Sequence, residues 1–238
     1  MKPVLLVRND PFETFGVAPG AFAKAQMPIS VWEAVDASPA PDLEEVGGLI
    51  VFGSSYNVEH ADEHPFIHAV ADLTREAVER RVPYLGVCFG AQLLAWALGG
   101  QVEKAPIREV GFEPIRPLPP AQDDALVSHY EDGDLAFQWH MDTFTLPEDS
   151  TLLVSGDGVP YQAYRVGDRT WGIQFHLEID DDEIELWLDE YEKEGDLLAD
   201  WGKNAEQVRA EARASIGDHK RKGIETFRRF AEVVREVA

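Results

Sequence analysis

The sequence predicts an α/β protein with a doubly wound sheet of parallel strands and a helical C-terminal region. Residues 3–7, 47–53 and 82–87 are short apolar runs with the composition of buried parallel strands. A helical pattern of apolar residues over 65–81 separates the second run from the third, and another apolar helix follows the third. This alternation of strands and helices is typical of a doubly wound sheet.

The remaining elements follow from composition and turn residues. Residues 28–35 predict a second strand, whereas residues 12–26 favour neither a strand nor a helix. Prolines at 114, 117, 119 and 120 break any helix in that region. Further strands are predicted at 108–116, 136–140, 151–155, 161–166 and 170–176. The strands before residue 166 form either a mixed edge of the same sheet or a small β subdomain.

The last part of the chain is helical and strongly charged. Helices are predicted over 181–191, 206–215 and 216–237. We expect one domain over 1–180 and a C-terminal helical extension over 181–238 that packs on it. The aromatic residues Trp187, Tyr191 and Trp201 are interpreted as core packing and a solvated face and not as a ligand-binding group, with a partner-docking surface as the alternative.

Composition narrows the function. The 238 residues, 45% of them hydrophobic, suffice for one large α/β domain. With 21 Lys and Arg against 44 Asp and Glu, the net charge is −23, which argues against binding nucleic-acid phosphates. No apolar run approaches the roughly 20 residues that a membrane helix needs, and the N-terminal apolar segment is too short for a signal peptide. We therefore predict a cytoplasmic protein that binds neither nucleic acid nor membranes.

Cys88 is the only cysteine of the chain and lies where the third apolar run meets its helix. Gly86 and Gly90 flank it two residues away on either side, as small residues flank a nucleophile on a sharp strand-to-helix turn. Unpaired N–H groups and the positive end of the helix dipole favour a thiolate there, which is the form that attacks. The alternative is a buried core thiol.

His176 and Glu178 could supply the groups that a nucleophilic cysteine needs. They are two residues apart near the end of a predicted strand, and an extended backbone points both side chains to the same side. Glu178 would then orient the His176 ring, whose other nitrogen would take the proton from Cys88. The alternative is a surface ion pair at a strand end.

Three sequence segments carry a resemblance to a known family. Residues 86–92 (Gly-Val-Cys-Phe-Gly-Ala-Gln) with residues 175–178 (Phe-His-Leu-Glu) resemble the class I glutamine amidotransferase domain, and residues 137–147 are similar to its stand-alone, GMP-synthetase-like branch. The resemblance implies a flavodoxin-like, mostly parallel sheet with helices on both faces. It also implies that Cys88 attacks the side-chain amide of glutamine, that His176 acts as base and then acid, and that Glu178 orients His176.

The same resemblance implies two backbone donors for the oxyanion formed during attack. Phe89, the first residue of the helix, would supply one N–H, and Ser54 stands in the place of the second. The family has a Gly-Gly-Pro-like loop there, whereas this chain reads Gly-Ser-Ser over 53–55. Because a residue other than glycine resists a positive φ, this departure makes the loop geometry a point to test.

Three more side chains are assigned to substrate binding. By resemblance, Gln92 lies near the backbone of the bound glutamine. His140 and Asp142 line the same pocket or, alternatively, are ordinary polar residues at a strand end. We predict no cofactor and no metal, because Pro65 makes one continuous helix through the evenly spaced histidines at 60, 64 and 68 improbable.

Three functions remain open at this level. The first is a glutaminase that releases ammonia to a separate synthetase subunit, since the sequence shows no fused synthetase and no ATP-binding loop. The second is a γ-glutamyl peptidase or hydrolase with the same nucleophile and a larger substrate. The third, suggested by the altered loop, is a binding or regulatory homologue that turns over weakly.

Overall fold

The structure is a computed structural model that describes residues 1–193 and 195–237, and over these ranges the chain forms nine strands and six helices. The strands are β1 (Val4–Arg8), β2 (Ile29–Glu33), β3 (Gly48–Val51), β4 (Tyr84–Val87), β5 (Val102–Pro117), β6 (Asp134–Phe144), β7 (Ser150–Gly156), β8 (Ala163–Val166) and β9 (Thr170–Ile173). The helices are α1 (Ala18–Lys24), α2 (Pro65–Glu79), α3 (Phe89–Ala97), α4 (Asp181–Tyr191), α5 (Leu197–Trp201) and α6 (Ala205–Glu236).

All strands belong to one sheet, which is parallel at one end and antiparallel at the other. The parallel strands stand in the order β2-β1-β3-β4-β9, the flavodoxin-like order with β9 as its last strand. The sheet continues antiparallel through β8, β7, β5 and β6. The strands predicted between 107 and 166 therefore form a mixed edge of the same sheet.

Strand residues alternate between two apolar layers, and helices cover both faces of the sheet. On β1, Val4 and Leu6 face the layer that contains α1 and α6. Leu5 and Val7 face the layer that contains α2 and α3. A strand buried on both faces reads as an unbroken apolar run, which is the pattern that predicted these strands. The α/β fold with helices on both faces is confirmed.

Several elements differ in extent from the sequence prediction. Strand β5 begins at Val102, well before residue 108, and its pairing with β6 shifts between Lys104 and Glu109. Helix α1 occupies part of the stretch 12–26, which the pattern left unassigned. Strand β9 ends at Ile173, so His176 lies in the loop beyond the strand and not within it.

The prediction of two separate helices over 206–215 and 216–237 is wrong, because α6 runs unbroken through this stretch. Its buried residues, among them Ala212, Ile216 and Phe227, continue on one side of the helix past the expected break. Gly217 lies on the exposed side, where a glycine costs only about 1 kcal/mol relative to alanine. A capping box starts the helix at Asn204.

Helix α6 packs on the face of the sheet that also carries α1. Phe230 and Val234 lie against Gly48 of β3, and Gly223 lies against the carbonyl of Leu177. These contacts suit an extension packed on one domain, while the boundary at residue 180 stays a prediction. Two positions in the predicted extension, 194 and 238, lie outside the described residues. In the described ranges, no helix combines the length and apolar character that a bilayer-spanning segment requires.

We expect Gly223→Ala to destabilise the protein and Gly217→Ala, in the same helix, to stabilise it. A methyl group on Gly223 would lie 1.9 Å from the carbonyl oxygen of Leu177, so α6 would have to move away from the loop it covers. Nothing lies within 4 Å of the same position on Gly217. The free energy of unfolding in urea should fall by about 1–3 kcal/mol for the first variant and rise by up to about 1 kcal/mol for the second. Equal stabilities of the two variants would contradict this packing.

Candidate active site

Cys88 occupies a strained turn between β4 and α3. Its φ is +49° and its ψ is −106°, a conformation that residues other than glycine rarely adopt. A Cβ on Gly86 would lie 2.3 Å from the carbonyl oxygen of Gly90, and a Cβ on Gly90 would lie 2.0 Å from that of Val51. Both flanking glycines are therefore required by close backbone approach, and the predicted strand–turn–helix is confirmed.

The pairing of β4 with β9 brings His176 to Cys88. The Cys88 N–H donates to the carbonyl of Ile173 over 2.8 Å, and His176 follows three residues later. His176 Nδ1 donates to Glu178 Oε1 at 2.7 Å, and both side chains are buried. The carbonyl of His176 is held by His219 Nε2 at 2.8 Å. Because Nδ1 of the His176 ring is bonded to Glu178, the other ring nitrogen, Nε2, remains for Cys88.

The charge state of His176 is set by its two neighbours. Burial lowers the pKa of His176, but the adjacent Cys88 and Glu178 outweigh burial and raise that pKa well above its ordinary value. A protonated imidazole beside a cysteine favours the thiolate. The three predicted catalytic side chains are thus together, with a geometry and charge that suit a nucleophile, a proton carrier and an orienting acid.

Gln174 contacts Cys88 and was not among the site residues predicted from the sequence. Its Nε2 donates to Cys88 Sγ at 3.6 Å, and its Oε1 accepts from Gln92 Nε2 at 3.3 Å. Gln92 also donates to the carbonyl of Asp142 at 3.3 Å. Gln92 therefore holds Gln174 in addition to lining the cavity. The sequence did contain one signal for Gln174. It lies two residues before His176, as His176 lies two residues before Glu178, and residues two apart on an extended chain point to the same side.

His140 and Asp142 line the cavity and are already bonded within the protein. The His140 ring contacts Gln138 Oε1 at 3.1 Å and Glu109 Oε2 at 3.0 Å. The Asp142 carboxylate accepts from Lys104 Nζ at 2.8 Å. Both residues are buried, so they form the floor of the cavity. A direct role of either residue in binding substrate stays a prediction.

The loop of residues 53–55 is fixed by the segment that follows β1. Ser54 Oγ donates to the carbonyl of Asn9 at 2.9 Å. Asp10 Oδ2 accepts from the Ser55 N–H at 2.8 Å and from Ser55 Oγ at 2.6 Å. Neither Gly53 nor Ser54 has a positive φ, so serine fits this loop without backbone strain. At the other side, the Phe89 N–H heads α3, where helix N–H groups have no intrahelical partner.

Two more buried carboxyl groups lie close to Glu178, and neither was among the site residues predicted from the sequence. Burial raises the pKa of Glu13 well above its ordinary value, and the charges of Glu183 and Glu178 raise it further. Burial and then the charge of Glu178 raise the pKa of Glu183 to about 7. A proton on Glu13, and on Glu183 below about pH 7, removes negative charge from the surroundings of the hydrogen-bonded His176–Glu178 pair.

A cavity of about 340 Å³ opens onto Cys88 and His176. One wall is aromatic and consists of Trp139, Trp187, Tyr191 and Trp201. The Trp187 ring lies edge-on to the His176 ring, with centroids 4.8 Å apart. The interpretation of the aromatic C-terminal residues as core packing is therefore incomplete: they pack together, and they also line the cavity.

The three evenly spaced histidines do not converge. His64 packs against Tyr56, with ring centroids 4.5 Å apart, and His68 Nε2 bonds Asp62 at 3.1 Å. Across residues 1–193 and 195–237, no group of three or more His, Cys, Asp or Glu side chains has an arrangement that could hold a metal ion.

The buried Glu183 should make stability depend on pH. Between about pH 4.5 and 7 the folded protein keeps a proton on Glu183 that the unfolded chain releases, so the free energy of unfolding falls as the pH rises. Glu183→Gln removes this group. Over that window the free energy of unfolding, measured in urea, should fall less in the variant than in the wild type. The difference between the two falls should reach up to about 3 kcal/mol. The exposed Glu192→Gln is the control and should follow the wild type; a Glu183→Gln curve parallel to the wild type would contradict the expectation.

Comparisons with known proteins agree with this fold and these motifs. The family model for class I glutamine amidotransferases matches residues 21–185. The glutamine-hydrolysing GMP synthase of Porphyromonas gingivalis is 38% identical over 140 residues, which cover 58% of this chain and 26% of that protein. A glutamine amidotransferase-like protein of Salmonella typhimurium is 31% identical over 189 residues, which cover 77% of this chain and 78% of that protein.

Solved structures give the same result. A glutamine amidotransferase of Methylobacillus flagellatus has a TM-score of 0.88 at 26% identity, covering 98% of this chain and 95% of that chain. One of Thermotoga maritima has a TM-score of 0.86 at 22% identity, covering 97% and 98%, and so shows the fold. The chain spans 26% of the Porphyromonas GMP synthase and 34% of a Bacteroides fragilis GMP synthase. The match over most of the chain shows that it belongs to the class I glutamine amidotransferase family.

Proposed function

We propose that this protein hydrolyses the side-chain amide of glutamine, or of a related γ-glutamyl compound, through a thioester on Cys88. One observation carries the proposal. Cys88 lies on a strained turn beside a His176–Glu178 pair joined by a 2.7 Å hydrogen bond, and both open onto a cavity large enough for a small molecule.

The reaction follows from the positions of these groups. The Cys88 thiolate attacks the amide carbon, and the carbonyl oxygen becomes an oxyanion. The carbon–nitrogen bond then breaks, and the leaving nitrogen takes a proton from His176 Nε2. Water attacks the resulting thioester while His176 takes a proton from it, which releases the γ-carboxyl product and restores the thiolate. Glu178 holds the His176 ring through Nδ1 and stabilises its charged form.

Two backbone N–H groups are proposed to stabilise the oxyanion. Phe89 supplies one from the start of α3 and Ser54 the other from the loop after β3. Asn9 and Asp10 hold that loop through three hydrogen bonds. A loop fixed in this way keeps its backbone N–H in place before the oxyanion forms. The altered loop was the reason to consider a homologue that turns over weakly, and its unstrained backbone at Ser54 favours the catalytic alternative.

Which protein receives the ammonia is a separate proposal. The relatives named GMP synthase are several times longer than the matched region, and this chain spans 26–34% of them. If glutamine is the substrate, a separate synthetase subunit would receive the ammonia. If a γ-glutamyl amide is the substrate, hydrolysis needs no such partner.

Cys88→Ser should abolish hydrolysis and covalent labelling. We expect a glutamine-shaped chloroketone to add once to the wild type, at Cys88, in an intact-mass measurement. The variant should lose this adduct, and its turnover of glutamine and γ-glutamyl amides should fall by about 10³-fold or more, because the nucleophile acts as a unit with His176. A small generic thiol reagent is the control for reactivity. A wild-type chain that turns over no γ-glutamyl compound, and takes no adduct, would refute the proposal.

Gly53→Ala should impair catalysis with little effect on folding. A Cβ on Gly53 would lie 2.9 Å from His176 Cε1, so the ring would have to shift away from the position that Glu178 fixes. We expect kcat to fall roughly 10- to 100-fold, as small misplacements of a catalytic group do. Gly20→Ala, with nothing within 4 Å of its added Cβ, is the matched control. Unchanged kcat in Gly53→Ala would show that His176 is not held against this loop.

A further inference from the structure

We infer that the cavity holds a subsite for the leaving amine, built for an organic amine with an apolar body and no carboxylate. The preferred substrate is then a γ-glutamyl amide of such an amine, rather than glutamine or a γ-glutamyl amino acid. This inference rests on the proposed function, because it assigns the part of the substrate that His176 releases.

The aromatic wall lies where the leaving group must lie. In the proposed reaction the leaving nitrogen takes its proton from His176, so the amine is adjacent to that ring. Trp187 contacts the same ring, with centroids 4.8 Å apart. The carbonyl oxygen of Trp139 lies 4.0 Å from Cys88 Sγ. An amine leaving from His176 therefore lies beside the Trp187 indole, and the Trp139 ring packs against that indole with centroids 6.0 Å apart.

The strand β6 separates this wall from the side assigned to the glutamyl group. Its side chains alternate, so Trp139 packs with Trp187 while His140 is bonded in the polar floor. Gln92 bonds the carbonyl of Asp142 on that polar side. The cavity thus has a polar part near Gln92 and an aromatic part near His176.

The aromatic wall offers more apolar surface than ammonia can cover. Trp139 lies 6.0 Å from Trp187, 5.9 Å from Tyr191 and 6.1 Å from Trp201, measured between ring centroids. Trp139, Trp187 and Tyr191 are only partly buried, and all four rings line the cavity. Covering such apolar surface on binding stabilises a complex through the hydrophobic effect. Ammonia covers almost none of it, whereas an aromatic or alkyl amine would.

The charges of the lining exclude a second carboxylate. Among the described residues that line the cavity, Asp10, Glu13, Asp142 and Glu190 are acidic and none is lysine or arginine. The lysines paired with Asp142 and Glu190 have side chains that are 56% and 61% exposed and lie outside the lining. A γ-glutamyl group carries an ammonium with its carboxylate, so its charges balance. An amino acid as leaving group would bring an unbalanced carboxylate with no lysine or arginine of the described lining to receive it, while the His176 ring is already bonded to Glu178.

Three substrates test the inference: glutamine, γ-glutamyl phenethylamide and γ-glutamylphenylalanine. The last two differ only by the carboxylate on the leaving amine. We expect kcat/KM for the phenethylamide to exceed that of each of the others by about tenfold or more. Equal or better kcat/KM for glutamine would overturn the aromatic subsite, and equal kcat/KM for γ-glutamylphenylalanine would overturn the exclusion of a carboxylate.

Variants of the wall separate recognition from folding. Tyr191→Leu and Trp187→Leu should each lower the ratio of kcat/KM for the phenethylamide to kcat/KM for glutamine by about tenfold. Trp96→Leu is the matched control, because Trp96 packs beside Arg75 on the surface and does not line the cavity. An unchanged ratio in both wall variants, with urea unfolding that shows folded protein, would overturn the inference.

Failure of this inference differs from failure of the proposed function. If glutamine is hydrolysed and activity depends on Cys88, but the phenethylamide is not preferred, only the leaving-group subsite is wrong. If no γ-glutamyl compound is hydrolysed and the chloroketone does not label Cys88, the proposed function fails, and this inference fails with it.

Discussion

The active site depends on the parallel pairing of β4 with β9. Val87 is level with Ile173, and the Cys88 N–H extends the ladder by one more bond to the Ile173 carbonyl. Cys88 follows one strand directly, and Gln174 and His176 follow the other. The carboxyl ends of neighbouring parallel strands meet at one edge of a doubly wound sheet. Groups far apart in sequence are therefore positioned by the sheet itself, and their separation is not left to the loops.

The same edge explains why the loops after β1 and β3 support the site. The parallel order changes direction between β1 and β3, which opens a crevice at that point. Asp10, from the first loop, bonds Ser55, from the second. Gly53 in turn touches His176. The strained backbone at Cys88 persists because surrounding backbone leaves it no room to relax.

The sequence predicted the fold and the reactive groups, and the limits of that prediction are physical. Unbroken apolar runs mark doubly buried strands, and Cys88 with its two glycines marks a sharp turn. Periodicity is a local signal, so it divided α6 between residues 215 and 216, whereas the buried side of the helix continues through Ala212, Ile216 and Phe227. Gln174 was missed because its role depends on a contact with Cys88 made through the sheet. Trp187 resembled a core residue because cavity walls and cores use the same aromatic side chains.

The buried carboxyl groups direct charge within the site. Glu13, Glu178 and Glu183 repel one another when ionised, and burial adds to the cost of each charge. Of the three, Glu178 is the one that accepts a hydrogen bond from His176, the ring whose pKa is raised well above its ordinary value. Protons on the other two carboxyls remove the competing charges. The His176 ring, whose pKa is raised, then lies between the Glu178 side chain and Cys88. A positive imidazole beside a cysteine favours the thiolate that a nucleophile requires.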